Sequence, residues 1–493
     1  MSAEPESGRP DKRASMIARD IEAEIVRRGW TIGESLGSEQ SLQQRFCVSR
    51  SVLREAVRLV EHHQVARMRR GPNGGLLICE PDAGPATRAM VIYLEYLGTT
   101  LGDLLSARLV LEPLAASLAA ERIDEAGIER LRAVLRAEQG WKPGLPTPRD
   151  EFHMALAERS KNPVLQLFID VLMRLTTRYA RQSRADSTSA AVEAVDHMHK
   201  DHSEIVAAVT AGDSARAKTL SERHVEAVTA WLQQHYRDQD AGRNGPASRA
   251  AWARGQMARL NREAPRGKLA EVLAATIGDE IAASGWQVGS VFGTETALLE
   301  RFRVSRAALR EAVRLLEYHS IAQMRRGPGG GLVVTKPQAQ ASIDTIALCL
   351  QYRKPSREDL RCVRDAIEID NIAKVVKRRS EAEVAAFLTA HGSSLDGVSG
   401  EVDVRAAAVE EFRFHVGLAQ LAGNALLELF LRIIVELFRR HWTSTGQALP
   451  TWGDVVAVEH AHLRILEAIA AGDDSLARYR IRRHLDAAAA SWL

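Results

Sequence analysis

At 493 residues the chain is too long for a single core, and it spends few residues on aromatics, which at 5% leave a helix-favouring background rich in Ala, Leu and Arg. A formal net charge of +3 makes any affinity for nucleic acid a matter of local basic patches. The four cysteines (Cys47, Cys79, Cys349, Cys362) form no CxxC pair, which excludes a disulfide framework or a cysteine-ligated zinc, and no apolar stretch reaches the length of a membrane span. A reducing cytoplasmic setting is therefore expected.

In chain order, MIARDIEAEIVRRGW places Ile17, Ile21 and Ile25 on one face, predicting an amphipathic helix. A short second helix is expected from Ser38 to Phe46, then a tight turn with Ser49 as the cap of a third. That third helix turns Leu53, Val57 and Val60 inward and presents Arg50, Ser51 and Arg54 outward. VARMRR and GLLICE flank RGPNGG and read as a β-hairpin. Three helices and a hairpin make a winged helix-turn-helix. Residues 86–237 then read as an almost wholly helical domain.

The pattern then repeats. GSEQSLQQRFCVSRSVLREAVRLVEHHQVARMRRGPNGGLLICEP, from Gly37, aligns without gaps on GTETALLERFRVSRAALREAVRLLEYHSIAQMRRGPGGGLVVTKP, from Gly293, with more than half the positions identical. RLVLEP at Arg108 answers RDAIEI at Arg364, and FHMALAERSKN answers FHVGLAQLAGN. The period is that of a duplicated two-domain protein. We expect a winged domain at 1–85, a helical domain at 86–237, a linker at 238–266, a second winged domain at 267–341 and a second helical domain at 342–493.

Arginines cluster where a winged domain meets DNA: Arg45, Arg50, Arg54, Arg58, Arg67, Arg69 and Arg70 in one copy, Arg301, Arg303, Arg306, Arg310, Arg314, Arg325 and Arg326 in the other. A charge run is usually a solvated helix face. Concentration at a recognition-helix start and a hairpin tip, twice over, instead points to guanine edges and phosphates. RGPGGG lacks the Lys-Ser/Thr of a phosphate loop and reads as a wing turn. The expected DNA-contacting set is Arg45, Ser49, Arg50, Ser51, Arg54, Arg70 and Gly71, with Arg301, Ser305, Arg306, Arg310, Arg326 and Gly327 in the second copy.

SEQSLQQRFCVSRSVLREAVRLVE and TETALLERFRVSRAALREAVRLLE resemble the signature of the GntR family of bacterial regulators, and the RRGPNGG and RRGPGGG wings with a helical domain behind them resemble its FadR branch with an FCD sensor domain. The resemblance runs nearly end to end in both copies. It implies DNA contacts by Arg50, Arg54, Arg306 and Arg310, and by the wing tips at Arg70 and Arg326. The second helix of the family usually opens Ser-Glu-Arg-Glu, and that arginine is Gln40 here and Thr296 in the other copy.

In the second helical domain Glu411 and His415 lie four apart on one helix face, while His462 and His484 each sit among apolar neighbours. A lone histidine on an apolar face is usually a satisfied core residue; three with a carboxylate suit a divalent metal such as zinc. The set also resembles the carboxylate-and-three-histidine site of metal-binding FCD domains. The first domain offers His153, His202 and His224, but Arg149 stands where Glu411 does, with Asp150 as the substitute carboxylate. Metal is therefore expected more in the second copy than in the first. Arg108 and Arg364 each precede a glutamate by four, which alone reads equally as an intrahelical ion pair. The resemblance implies that these arginines face an effector pocket, and a metal beside an arginine suits a small carboxylate.

The expected protein is mainly α, a sequence-specific regulator, most simply a repressor, whose fused halves act as an intramolecular dimer on a pseudo-palindromic operator, with further self-association left open. Two rivals are a metal-dependent enzyme using the histidines and an architectural DNA-binder without effector. No HExxH motif, nucleophile elbow or dinucleotide fingerprint supports catalysis.

Overall fold

The computed structural model describes residues 12–69, 71, 74–140, 149–182, 188–235, 266–327, 329–391, 404–445 and 452–491. Arg70 and all but the last residue of the 238–266 linker lie outside them. The chain forms two compact units, one gathering both winged domains and the other both helical domains.

In the first head α1 (Lys12–Arg27), α2 (Glu39–Phe46) and α3 (Arg50–His62) precede the hairpin β1 (Ala66–Arg69) and β2 (Gly75–Ile78). The inward faces expected from sequence close the core: Ile17, Ile21 and Ile25 of α1 pack against Leu53, Val57 and Val60 of α3. Ser38 and Ser49 cap α2 and α3, each accepting a backbone N–H from three residues on. The hairpin pairs Ala66 with Ile78 and Arg69 with Gly75, and an isolated bridge ties Ser35 to Leu77. Gly75 lies so close to Gly37 that a Cβ would stand 2.7 Å from its carbonyl oxygen, at a φ of +138°.

The chain leaves this head through α4 (Gly84–Tyr96). The second head repeats the plan with α11 (Arg266–Ala283), β3 (Val291–Gly293), α12 (Glu295–Phe302), α13 (Arg306–Tyr318), β4 (Ala322–Arg325) and β5 (Gly331–Val334), and it leaves through α14 (Gln340–Arg353). Here β3 joins the hairpin, giving a three-stranded sheet ordered β3-β5-β4.

The two exit helices exchange heads. Ile92 of α4 is built into the second head's core beside Leu273 and Ile277, and Leu348 of α14 completes the first head's core. Two edge-on aromatic pairs mark the exchange, Tyr96 with Trp286 at 5.5 Å and Tyr352 with Trp30 at 5.3 Å. The sequence boundaries at 85/86 and 341/342 fall inside α4 and α14, which both pack in the winged unit. Their cross-copy partners are invisible to periodicity within either copy.

The helical unit holds α5 (Leu101–Arg122), α6 (Glu125–Gln139), α7 (Arg149–Arg159), α8 (Pro163–Gln182), α9 (Thr188–Thr210) and α10 (Ser214–His235) from the first copy. The second copy supplies α15 (Arg357–Lys377), α16 (Ala382–His391), α17 (Val404–Ala422), α18 (Ala425–Thr445), α19 (Trp452–Ala471) and α20 (Asp474–Ser491). Each copy has its own apolar core, around Phe152, Ile205 and Val209 in one and Phe414, Ile465 and Ile481 in the other. Between them the contacts are reciprocal. Asn162 caps α8 and donates its amide to the Asp359 carbonyl at 2.9 Å, while Asn424 caps α18 and donates to the Asp103 carbonyl at 2.9 Å. Phe168 and Phe430 stack face to face, 4.1 Å between centroids. Among the described residues no helix is long and apolar enough to cross a membrane.

Candidate functional site

On the first head Arg50 and Arg54 project from the first turns of α3, one helical turn apart, with side chains 64% and 55% exposed. Both turn their Nε to the same carboxylate oxygen of Glu39 on α2, at 3.0 and 2.8 Å. That carboxylate is held below its ordinary range chiefly by the Arg50 hydrogen bond. The glutamate thus pre-orders two guanidinium groups over the recognition helix, a role that sequence reading did not assign to it. The second head is looser: Arg310 stands 3.7 Å from Glu295. Ser49 and Ser305 spend their hydroxyls capping α3 and α13, and Ser51 lies 3.0 Å from Ser49, hydroxyl to hydroxyl.

Arg45 and Arg301 have partners within their own heads. Arg45 ion-pairs with Glu24 of α1 and lies over the Phe46 ring; Arg301 pairs with Glu280 at 2.5 Å, between Phe292 and Phe302. These contacts fasten α2 to α1 and α12 to α11. At the wing tips Gly71 and Gly327 take φ of +114° and +100°, turns that an L side chain resists. Arg326 beside Gly327 is exposed.

In the helical unit the structure brings together the histidines named from sequence. Glu411 and His415 of α17, His462 of α19 and His484 of α20 converge, with donor atoms within 4.8 Å of one another. His415 Nε2 lies 3.1 Å from His484 Nε2 and 3.1 Å from Glu411 Oε1, and His484 Nε2 lies 3.3 Å from that oxygen. His462 Nε2 comes within 2.9 Å of Glu411 Oε2. Neither of those two atoms makes a well-aligned hydrogen bond, although both are buried. Two such atoms held close without an aligned hydrogen bond suit donors to one shared cation. Separations near 3 Å match those between neighbouring ligands whose bonds to zinc are about 2.0–2.2 Å. Stacking on Phe414, 3.7 Å between centroids, fixes the His462 ring.

Behind this set, Glu368 of α15 contacts His415 Nδ1 and accepts from Arg364 Nε at 2.6 Å. Burial opposes charge here, yet Glu368 and Glu411 outweigh it and raise His415 to about 9. Glu368 itself falls to about 2, because the His415 and Arg364 charges overcome its burial. Burial pushes His462 down to about 4.

The first copy gathers His153 of α7, His202 of α9 and His224 of α10 in the same way. His202 and His224 meet Nε2 to Nε2 at 3.2 Å, and His202 stacks on Phe152 at 3.7 Å. The side chains of Arg149 and Asp150 lie outside the described residues. Two carboxylates that sequence reading missed stand behind the rings. Glu138 of α6 lies 2.8 Å from His202 Nδ1, and Asp201 of α9 lies 3.1 Å from His224 Nδ1. Burial, with the Glu151 charge adding, pushes Glu138 up to about 8. Asp201 is partly exposed, and Glu138, though it shares the buried face of α6 with Leu131 and Val134, lies far along the chain from the ring it backs.

Arg108 and Arg364 are both buried, and both make the intrahelical pair with Glu112 or Glu368. Each has one buried terminal nitrogen that makes no hydrogen bond, Nη1 of Arg108 and Nη2 of Arg364, the latter ion-paired with Glu411 at 3.8 Å. A ligand anion entering the site would find these two nitrogens without a hydrogen bond of their own.

Comparison with known proteins places these features. The chain matches the FCD domain over residues 103–227 and 359–487, and bacterial regulatory proteins of the gntR family over residues 13–72. It is 29% identical to the HTH-type transcriptional regulator LutR of Bacillus subtilis over 204 residues, 40% of this chain and 90% of that protein. It is 24% identical to the Exu regulon transcriptional regulator of Escherichia coli K12 over 220 residues, 44% of this chain and 83% of that one. The putative L-lactate dehydrogenase operon regulatory protein of the same strain is 26% identical over 239 residues, 47% and 90% of the two chains. Among solved structures, Streptococcus agalactiae GntR aligns with 44% of this chain and 99% of its own, at 22% identity and a TM-score of 0.33. Relatives matched over most of their own length account for less than half of this chain, in keeping with the doubled FCD match.

Proposed function

The chain belongs to the gntR family of bacterial regulatory proteins, in the branch that carries an FCD domain, and we propose on that premise that it is a metabolite-responsive repressor whose two fused heads read one pseudo-palindromic operator. Proteins of this family regulate transcription and are not enzymes, so the histidine clusters belong to sensing rather than to turnover. FCD domains often bind metal, and both clusters here have the donors to hold one.

The reciprocal seam of the helical unit, Asn162 to Asp359 and Asn424 to Asp103 around the stacked Phe168 and Phe430, carries the intramolecular-dimer reading. One chain has the paired surfaces that two identical chains would otherwise supply. The first recognition helix offers Arg50 and Arg54, the second Arg306 and Arg310, with Ser51 and Val52 replaced by Ala307 and Ala308. Two half-sites sharing their guanine-type contacts but not fully symmetric follow from that difference.

The metal is divalent, with zinc the best fit to a nitrogen-rich set, and the second copy holds it more tightly because Glu411 puts an anion among the ligands. The effector is a small carboxylate that meets, beside the metal, the guanidinium nitrogen of Arg108 or Arg364 that makes no hydrogen bond. A relative named for an L-lactate dehydrogenase operon agrees with that ligand class. Footprinting of the full chain tests the reading: two adjoining half-sites protected by one chain support it. One half-site per chain, with a chain carrying Arg306→Ala binding like the parent, overturns it.

A further inference from the structure

The two sensor sites keep their negative charge in different places. We infer that Glu138 and Asp201 are outer positioning residues that make the first site a three-nitrogen metal centre, with a cation preference unlike that of the second. The inference rests on the metal reading above and deepens it.

All three rings of the first site are backed alike. His153 Nδ1 lies 2.9 Å from Glu112, His202 Nδ1 2.8 Å from Glu138 and His224 Nδ1 3.1 Å from Asp201. The three carboxylates come from three different helices, α5, α6 and α9. A carboxylate at Nδ1 favours the tautomer with its proton there, so the Nε2 lone pair is left facing the centre. When Glu138 and Asp201 are both ionised, the Nε2 lone pairs of His202 and His224 face each other at 3.2 Å. That arrangement is repulsive unless a cation lies between them and His153.

The second site is built otherwise. Among the described residues His415 alone of its three rings is backed in this way, through Glu368. The residue before His202 is Asp201, whereas the residue before His462 is Ala461. Counting on from Arg364 as from Arg108, the place of Glu138 is taken by Ser394. In exchange the second site has Glu411 within its ligand set, where the first copy has Arg149. One copy carries a carboxyl group at the candidate ion site and the other carries two more carboxyl groups behind its rings.

The preferences follow from donor chemistry. Three neutral imidazoles suit borderline cations such as zinc, cobalt and nickel and hold manganese poorly, whereas an inner carboxylate makes a harder cation acceptable. Asp201, partly exposed, also lines a surface cleft between α9 and α10 with Glu204, Arg223 and Glu226. The affinity gap between the two sites should therefore be smaller for zinc than for manganese.

The test uses the full chain with one site disabled at a time, His462→Ala to isolate the first and His224→Ala to isolate the second. Zinc and manganese are titrated against a chromophoric chelator. In the His462→Ala background, Asp201→Ala and Glu138→Ala should each weaken zinc 10–100-fold. Asp201→Asn, which retains an acceptor oxygen, should recover most of the loss. In the His224→Ala background the same substitutions should leave zinc affinity unchanged. Cobalt loaded into the first site should give a visible spectrum that shifts in Asp201→Ala, a readout that a purely structural role would not move. Zinc binding in the His462→Ala chain that ignores both carboxylates overturns the inference and leaves the metal reading standing. No binding in that chain overturns the metal reading of the first site and the inference with it.

Discussion

Ile92 of the first copy lies so close to Gly278 of the second that a Cβ on that glycine would stand 2.7 Å from the isoleucine Cδ1. The pair belongs to the second head's core, although Ile92 reaches it along the helix by which the chain leaves the first head. Ile92→Ala should therefore destabilise the second head by about 2–5 kcal/mol, the usual cost of an emptied isoleucine site. Amide hydrogen exchange resolves the two heads: protection in α11 and α13 should fall while α1 and α3 keep theirs. Leu348→Ala should do the reverse. Equal loss in both heads for either variant would show that the exchange does not hold them separately.

The recognition helices make a second expectation. Arg50→Ala and Arg306→Ala should each cost about 1–3 kcal/mol of operator binding and relax sequence preference in one half-site only. Glu39→Gln should act differently, because it removes the carboxylate that orders Arg50 and Arg54 without removing a DNA contact. We expect it to change the preference in the first half-site alone, by less than either arginine loss. Binding of every variant should fall steeply with salt, since arginines displace counterions from phosphates. Selection of preferred half-sites from random DNA checks both statements; a shift in both halves from Glu39→Gln would refute the second.

Much of this architecture was legible in the sequence because short-range patterns carried it. Ile17, Ile21 and Ile25 faced Leu53, Val57 and Val60 as their spacing required, and Ser49 capped the helix it preceded. The four candidate ligands of the second site could be named because each was a histidine or carboxylate on an otherwise apolar face. Glu138 and Asp201 escaped notice because the rings they back stand on other helices, even though Glu138 shares the buried face of α6 with Leu131 and Val134. The exchange of α4 and α14 escaped for a related reason. An apolar face states that a helix is covered, not by which copy.

Signalling gives a third expectation. With its guanidinium paired to Glu368 and a second nitrogen near Glu411 that makes no hydrogen bond, Arg364 should meet the effector carboxylate without contributing to DNA contact. Arg364→Lys keeps the charge near Glu368 but loses the forked donor, so response to the effector should collapse while operator affinity of the unliganded protein persists. Because coupling is reciprocal, operator DNA must change effector affinity by the same factor as effector changes operator affinity. Titration calorimetry with and without operator measures it. Joint loss of fold stability and operator binding in Arg364→Lys would mark Arg364 as a structural ion-pair residue.

The metal supplies the last expectation. Glu411 is buried, contacts His415, His462 and His484, and is held well below the ordinary carboxylate range despite its burial, by the His415 charge first. A divalent cation among those atoms gains a direct anionic ligand that the first copy lacks at the position of Arg149. Metal analysis of the full chain at limiting zinc should therefore find the second site filled first, with His462→Ala removing that early fraction and His224→Ala sparing it. Glu411→Gln keeps the shape and removes the charge, so it should bring the second site down to the affinity of the first or below. Stability should follow occupancy: zinc at one hundred times the dissociation constant adds about 2.7 kcal/mol per site, and chelation takes it away. An early fraction that survives His462→Ala but not His224→Ala would reverse the order of the two sites and refute the argument from the inner carboxylate.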